Sequence, residues 1–225
     1  MLSSHRRLFE RQGKYGTPRQ EYLQELVSAF QGVKDTLRRE EILANLSNFA
    51  YDPINYVYLK ELHVITLFLD VLAMSKSELN GQKPKLECNE VRHKNAMMEF
   101  ALGGICNCIA DPRLQLQFFA LNGANEIIGC VRKLVEISDI TACVSKLNQL
   151  LSAMTICYFL LDSSAFHKLT TNSTCMNEYD SNETVRQEDS ILCIMQGLQR
   201  HHSVQIANIA SAFDDRHQEL LALYA

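Results

Sequence analysis

Apolar residues recur along this chain at helical spacing. In the stretch EYLQELVSAF, Tyr22, Leu23, Leu26, Val27 and Phe30 fall on one face at the i, i+3, i+4, i+7 spacing of an amphipathic helix. The stretches EEILANLSNFA, AMMEFALGGICNCIA and LLSAMTICYFLL are apolar on most faces. That pattern predicts helices covered on several sides, as in the middle of a helical stack. No stretch alternates with period two between paired turns, so no sheet is predicted.

The helical text repeats. Shifting the sequence by 59 positions places Leu43 on Leu102, Asn48 on Asn107, Asp52 on Asp111, Pro53 on Pro112 and Leu62 on Leu121. Apolar positions follow: Leu46 meets Ile105, Leu69 meets Ile128 and Leu72 meets Val131. The Asp-Pro pair has a mechanical meaning, because Asp accepts backbone hydrogen bonds at a helix N-cap and Pro suits the first helical position. Each apolar helix therefore ends there and another starts at once. A weaker third copy is LSAMTICYFLLDSSAFHKL, with Asp162 in the place of Asp111, and a still weaker fourth is VQIANIASAFDD. The core is predicted to include Leu43, Leu46, Leu102, Ile105 and Ile156.

Two polar stretches interrupt the pattern. Residues 75–92, with Gly81 and Pro84, read as an inserted loop that lengthens the repeat, and residues 171–187 read as a second loop. Residues 1–19 form a basic arm: Arg6, Arg7, Arg11, Lys14 and Arg19 against Glu10 give +4. With −4 overall, the rest of the chain carries −8. An acidic body is a poor surface for a phosphate backbone, whose binding relies on Lys and Arg. Any RNA contact is accordingly expected to come from the basic arm or through a partner. The arm lacks an apolar stretch behind its charges, unlike a secretory signal. No run of 18 apolar residues predicts a membrane span.

The chemistry of catalysis is missing from the sequence. It has no GxSxG, HExxH, Walker-type or GxGxxG spacing. Its eight cysteines include no CxxC pair, and most stand in apolar helical text as small hydrophobes, which suits a reducing compartment, cytosol or nucleus. Cys106 and Cys108 lie two apart and diverge on a helix, as do the adjacent His201 and His202. No metal, cofactor or small-molecule substrate is expected, and no enzyme.

The segments EILANLSNFAYDP and EFALGGICNCIADP resemble the third helix of armadillo repeats, a small-apolar helix with one Asn near its end. Over roughly residues 20–135 the resemblance narrows, through NFAYDP followed by FALGGICN, to a member of the armadillo-repeat family that works in the minor spliceosome. It implies an all-α fold, a right-handed α-solenoid of about three to four armadillo-like repeats spanning 20–225 behind the arm at 1–19. It further implies a nuclear, non-enzymatic scaffold in the splicing of minor-class introns. The implied partner is an RNA-recognition-motif protein similar to RNA-binding motif protein 48. A second reading, from the wider family, is an adaptor that holds extended peptide segments of cargo or signalling partners.

In that family the ladder Asn lines a concave groove and hydrogen-bonds a bound peptide's backbone, work suited to an amide that both donates and accepts. Asn48 and Asn107 hold that position, Asn45 lies one turn before Asn48, and Tyr51 stands at the edge. These four are the candidate protein-binding residues. The bland alternative is that each Asn satisfies backbone groups near its own helix end. Gly103 and Gly104, within an apolar helix, predict close packing of a neighbour or a floor for a partner. Tyr51, Tyr56 and Tyr58 are either interface aromatics or half-buried packing residues.

Overall fold

The computed structural model describes Ser4 and residues 6–7, 16–77, 88–166 and 190–224. Among these residues there are helices and turns but no strand. The chain divides into two compact units, Met1–Gly123 and Ala124–Ala225.

The first unit is built from α1 (Arg19–Gly32), α2 (Thr36–Ala50), a 3-10 turn (Pro53–Asn55), α3 (Tyr56–Glu61), α4 (Val64–Ser77), α5 (Cys88–Cys108) and α6 (Pro112–Ala120). The principal packing is α2 against α5, with α4 against α5 and α1 against α2. The residues that make this contact are those the pattern marks as core. Leu43, Leu46, Leu102 and Ile105 are fully buried, together with Ala50, Ala101 and the ring of Phe68 from α4. Burying a leucine-sized side chain contributes about 1.5–3 kcal/mol, so this layer holds the unit together.

The 59-residue register is written into the backbone. Pro53 and Pro112 each open a helical segment, and the segments close at Glu61 and Ala120. The preceding aspartates cap them: Asp52 accepts from Ile54 N, and Asp111 accepts from Arg113 N and Leu114 N. Both segments end alike. Leu62 N–H donates to the Tyr58 carbonyl at 2.9 Å and Leu121 N–H to the Gln117 carbonyl at 3.2 Å. The next residues, His63 and Asn122, take left-handed backbone at φ 52° and 57°. This lets the chain stop one helix and start another immediately, and His and Asn are among the residue types that tolerate it. The following helices begin at Val64 and Gly123, again 59 apart.

In the second unit, α7 (Gly123–Val135) and a 3-10 turn (Ile140–Ala142) precede α8 (Val144–Leu160), α9 (Ile191–Leu198) and α10 (Val204–Tyr224). The last helix packs on both α8 and α9. Ile156, Cys157 and Leu160 of α8, Met195 of α9 and Ile206, Ala210 and Phe213 of α10 are fully buried. Asp162, the counterpart of Asp111 in the weaker third copy, accepts from Arg216 on α10 at 2.8 Å. This exposed ion pair links the turn after α8 to α10.

The expected loop at 75–92 is helical at both of its ends. Residues 75–77 continue α4 and residues 88–92 begin α5, leaving 78–87 outside the described residues. Polar side chains there satisfy a helix as readily as a loop, since only Gly81 and Pro84 break one. The loop at 171–187 and most of the arm at 1–19 also lie outside the described residues.

Candidate functional site

On α2, Leu43 and Leu46 face the core, and the residues between them turn outward. Glu41, Asn45 and Asn48 are exposed at helical spacing, and Tyr51, just past the helix end, is 63% exposed. This places three of the four candidate residues on or at the end of one solvent-facing stripe. Glu41 is paired with Arg38 at 2.8 Å, one turn earlier. On the side toward α5, Glu40 meets His93 Nδ1 at 2.5 Å, so that edge is tied across the helix pair.

Asn107 is placed differently. It is half-buried, and its side-chain Nδ2 donates to the Ser47 carbonyl at 3.3 Å. The last carbonyls of any helix lack intrahelical partners. At the end of α2 the Tyr51 N–H turns to the Asn48 carbonyl, leaving that of Ser47 to the Asn107 amide. A second amide does similar work nearby: Asn55, fully buried, donates through Nδ2 to the Phe49 carbonyl at 2.8 Å. The Asn107 carbonyl in turn accepts from the Tyr56 hydroxyl at 2.8 Å. Burial, and more weakly the nearby Cys108, Asp111 and Asp52, hold the Tyr56 phenol above its ordinary value. Asn107 therefore joins the end of α5 to the end of α2 and to α3.

Sequence reasoning missed Asn55. Its signal is weak, an Asn two residues after an Asp-Pro turn, and only the three-dimensional fold shows the carbonyl it must meet. The aromatic neighbours are also a structural finding. Phe49 is edge-on to Tyr22 with centroids 5.8 Å apart, and the Arg19 guanidinium lies 4.7 Å over its ring.

Gly104 needs its missing side chain. A Cβ there would stand 2.5 Å from Cζ of the fully buried Phe68. At Gly103 a Cβ would meet only Ser47 Oγ, at 3.7 Å. Of the two readings for this glycine pair, Gly104 follows close packing.

The thiols near the end of α5 and in α8 are held protonated by burial. Burial pushes Cys106 up to about 11, and burial with its neighbours Cys106 and Asp111 pushes Cys108 up to about 12. Cys108 Sγ donates to the Gly104 carbonyl at 3.2 Å. Among the described residues no group of three His, Cys, Asp or Glu side chains is placed to hold a metal ion, and no helix is long and apolar enough to cross a membrane.

The chain is 44% identical over 85 residues to armadillo repeat-containing protein 7 of Mus musculus. It is similar to an armadillo-repeat protein. The match covers 38% of this chain and 34% of the mouse protein, so the chain spans about a third of the length of the relative it matches. No family model matches. The likeness and the absence of strands among the described residues agree with the expected armadillo-repeat resemblance and all-α fold.

Proposed function

We propose that the chain is a non-enzymatic protein-binding scaffold, and that its partner is an RNA-recognition-motif protein of the minor spliceosome similar to RNA-binding motif protein 48. In this reading it acts in the nucleus, supports splicing of minor-class introns, and meets RNA only through that partner. The observation that carries the docking surface is the outward stripe of α2. Asn45, Asn48 and Tyr51 present two amides and a phenol on a helix whose opposite face is locked into the core. The amides offer directional hydrogen bonds, and tyrosine is among the residues enriched at protein interfaces. The −8 carried outside the arm argues against direct phosphate binding.

Asn107 enters this reading as a support rather than a contact, since its amide nitrogen is committed to the Ser47 carbonyl. The test uses the purified RNA-recognition-motif protein and calorimetric titration. The Asn45→Ala, Asn48→Ala, Tyr51→Ala triple variant is expected to bind at least about tenfold more weakly, with an unchanged thermal melt. The loss of one buried polar contact is about 1–3 kcal/mol, which sets that scale. Equal affinity of variant and wild type would remove the α2 stripe as the interface. Tight, steeply salt-dependent binding of a minor-spliceosome RNA by the chain alone would refute the scaffold reading itself.

The adaptor reading, binding of extended peptide segments of cargo or signalling partners, draws on the same two exposed amides. It predicts affinity for unstructured basic peptides, which the same titration measures.

A further inference from the structure

In the second unit two imidazole rings lie against each other. The sequence pattern reads His201 and His202 as neighbours that diverge on a helix. Instead α9 ends at Leu198 and α10 begins at Val204, so both stand in the link between them. Their rings stack with centroids 4.2 Å apart and planes 29° from parallel. His201 serves both helix ends. Its backbone N–H donates to the Leu198 carbonyl at 3.0 Å, and its ring Nδ1 accepts from the Ser203 N–H at 3.0 Å. Ser203 stands immediately before α10, where N–H groups have no partner within the helix.

The hydrogen-bond partners fix where the ring protons sit. A backbone N–H only donates, so His201 Nδ1 is the bare nitrogen and the neutral ring carries its proton on Nε2. The Thr141 hydroxyl donates its one hydrogen to Asp139 Oδ1 at 2.8 Å, so its oxygen accepts from His202 Nε2, 3.4 Å away. A second proton on His202 goes to Nδ1 and leaves that bond in place. A second proton on His201 also goes to Nδ1, where it faces the Ser203 N–H and breaks the bond. The resulting cation stands at the positive end of the dipole of α10, a helix of 21 residues, which disfavours it further.

We propose that His201 is an acid-sensitive latch on α10: the neutral ring holds the start of the helix through Ser203, and the protonated ring releases it. Burial, and after it the charge of His202, hold His201 below its ordinary value of 6.5. The surrounding elements bring few charges to oppose this. The first turn of α10 has no acidic residue, and its carboxylates begin only at Asp214. The titratable side chain of α9 is the Cys193 thiol, and the charged one of α8 is Lys146, bonded to Gln149 at 3.3 Å. Asp139 is occupied by Thr141 and the Ala142 N–H, and Arg200, exposed, precedes the pair. The folded chain therefore binds this proton less readily than the unfolded one. The stability that the latch contributes is complete above pH 6.5 and is lost as the pH falls through the lower folded value. None of this involves the α2 stripe, so the latch stands whether or not that stripe binds a partner.

The full chain is followed by NMR between about pH 8 and pH 5, the range in which histidine changes charge. Long-range proton–nitrogen spectra are expected to show His201 neutral at the upper end, with its proton on Nε2. Its midpoint is expected below 6.5, and the Ser203 amide signal moves with the same midpoint. His201→Asn keeps a side-chain acceptor for the N–H two residues on, as in an Asx-turn, but does not titrate. It is expected to abolish the pH step at Ser203 and to leave the melt at the upper pH unchanged. His202→Gln leaves the latch itself intact and is expected to move the His201 midpoint and the Ser203 step upward together. It supplies the same test should His201→Asn fail to fold. A proton on His201 Nδ1 at the upper end, a Ser203 step that does not follow the His201 midpoint, or one that persists in His201→Asn would overturn the proposal.

Discussion

The side-chain amide of Asn107 donates to the backbone carbonyl of Ser47, 60 residues away, at 3.3 Å. One hydrogen bond therefore closes the end of α2 with a residue from the end of α5, in the next repeat. Asn48 and Asn107 share a repeat position, yet Asn107 is half-buried and bonded to Ser47 while Asn48 is exposed.

That separation is measurable. Asn107→Ala leaves the Ser47 carbonyl without its acceptor role filled, at a cost of about 1–3 kcal/mol. Asn48→Ala, on the exposed stripe, is expected to change stability by less than about 0.5 kcal/mol. Urea unfolding of the two single variants distinguishes them; equal effects would mean that the Asn107 amide is not structurally committed.

The adjacent glycines give an opposite pair. Gly104→Ala drives a methyl group into the buried Phe68 ring, 2.5 Å from the new Cβ. Neither ring nor helix can yield freely in a packed layer, so the expected cost is about 1–3 kcal/mol. Gly103→Ala meets only an ordinary contact at 3.7 Å and relieves the poor helix propensity of glycine, worth up to about 1 kcal/mol. It should leave the melting temperature unchanged or raise it. A drop with Gly103→Ala comparable to that of Gly104→Ala would contradict the packing described.

Much of the first unit was legible because its signals are local and repeated. Apolar spacing identifies Leu43, Leu46, Leu102 and Ile105, and the paired Asp52-Pro53 and Asp111-Pro112 mark helix starts to the residue. What escaped is what depends on a distant partner. Asn55 and Asn107 both cap carbonyls of α2, yet nothing in their flanking sequence names Phe49 or Ser47. The left-handed turn at His63 was illegible by itself, since His carries no turn signal, and becomes clear only beside Asn122. Residues 75–77 and 88–92 were expected in a loop because SKS and CNEVR are polar, and a polar helix end has the same composition as a loop.

Thiol chemistry provides a map of burial. Cys106 and Cys108 are held at about 11 and 12, and burial raises Cys157 far above its ordinary value. The thiolate is the reactive form, so these three should resist alkylation in the native protein at pH 8. Cys143 and Cys193 are exposed and should be modified first. Mass-spectrometric mapping after a brief iodoacetamide pulse checks the order. Early labelling of Cys157 would place α8 outside the core.

Acid sensitivity tests the second Asp-Pro cap. Asp111 is held below its ordinary value of 3.8, first by the hydrogen bond from the Arg113 side chain and then by the backbone N–H groups of Leu114 and Arg113. Its side chain is 12% exposed, with Arg113 Nη2 at 2.9 Å. A carboxyl group whose folded value is depressed binds its proton more readily in the unfolded chain. Its stabilisation is therefore fully present above pH 3.8 and is lost as the pH falls through the lower folded value. Asp111→Ala should cost about 0.5–2 kcal/mol at neutral pH, the usual worth of an N-cap. The gap between variant and wild type should hold as the pH falls toward the ordinary aspartate value and then narrow below it. Denaturant melts at a series of pH values measure that gap. A gap that is constant to the lowest pH would mean that the Asp111 charge contributes nothing, and that the turn is held by Pro112 and the backbone alone.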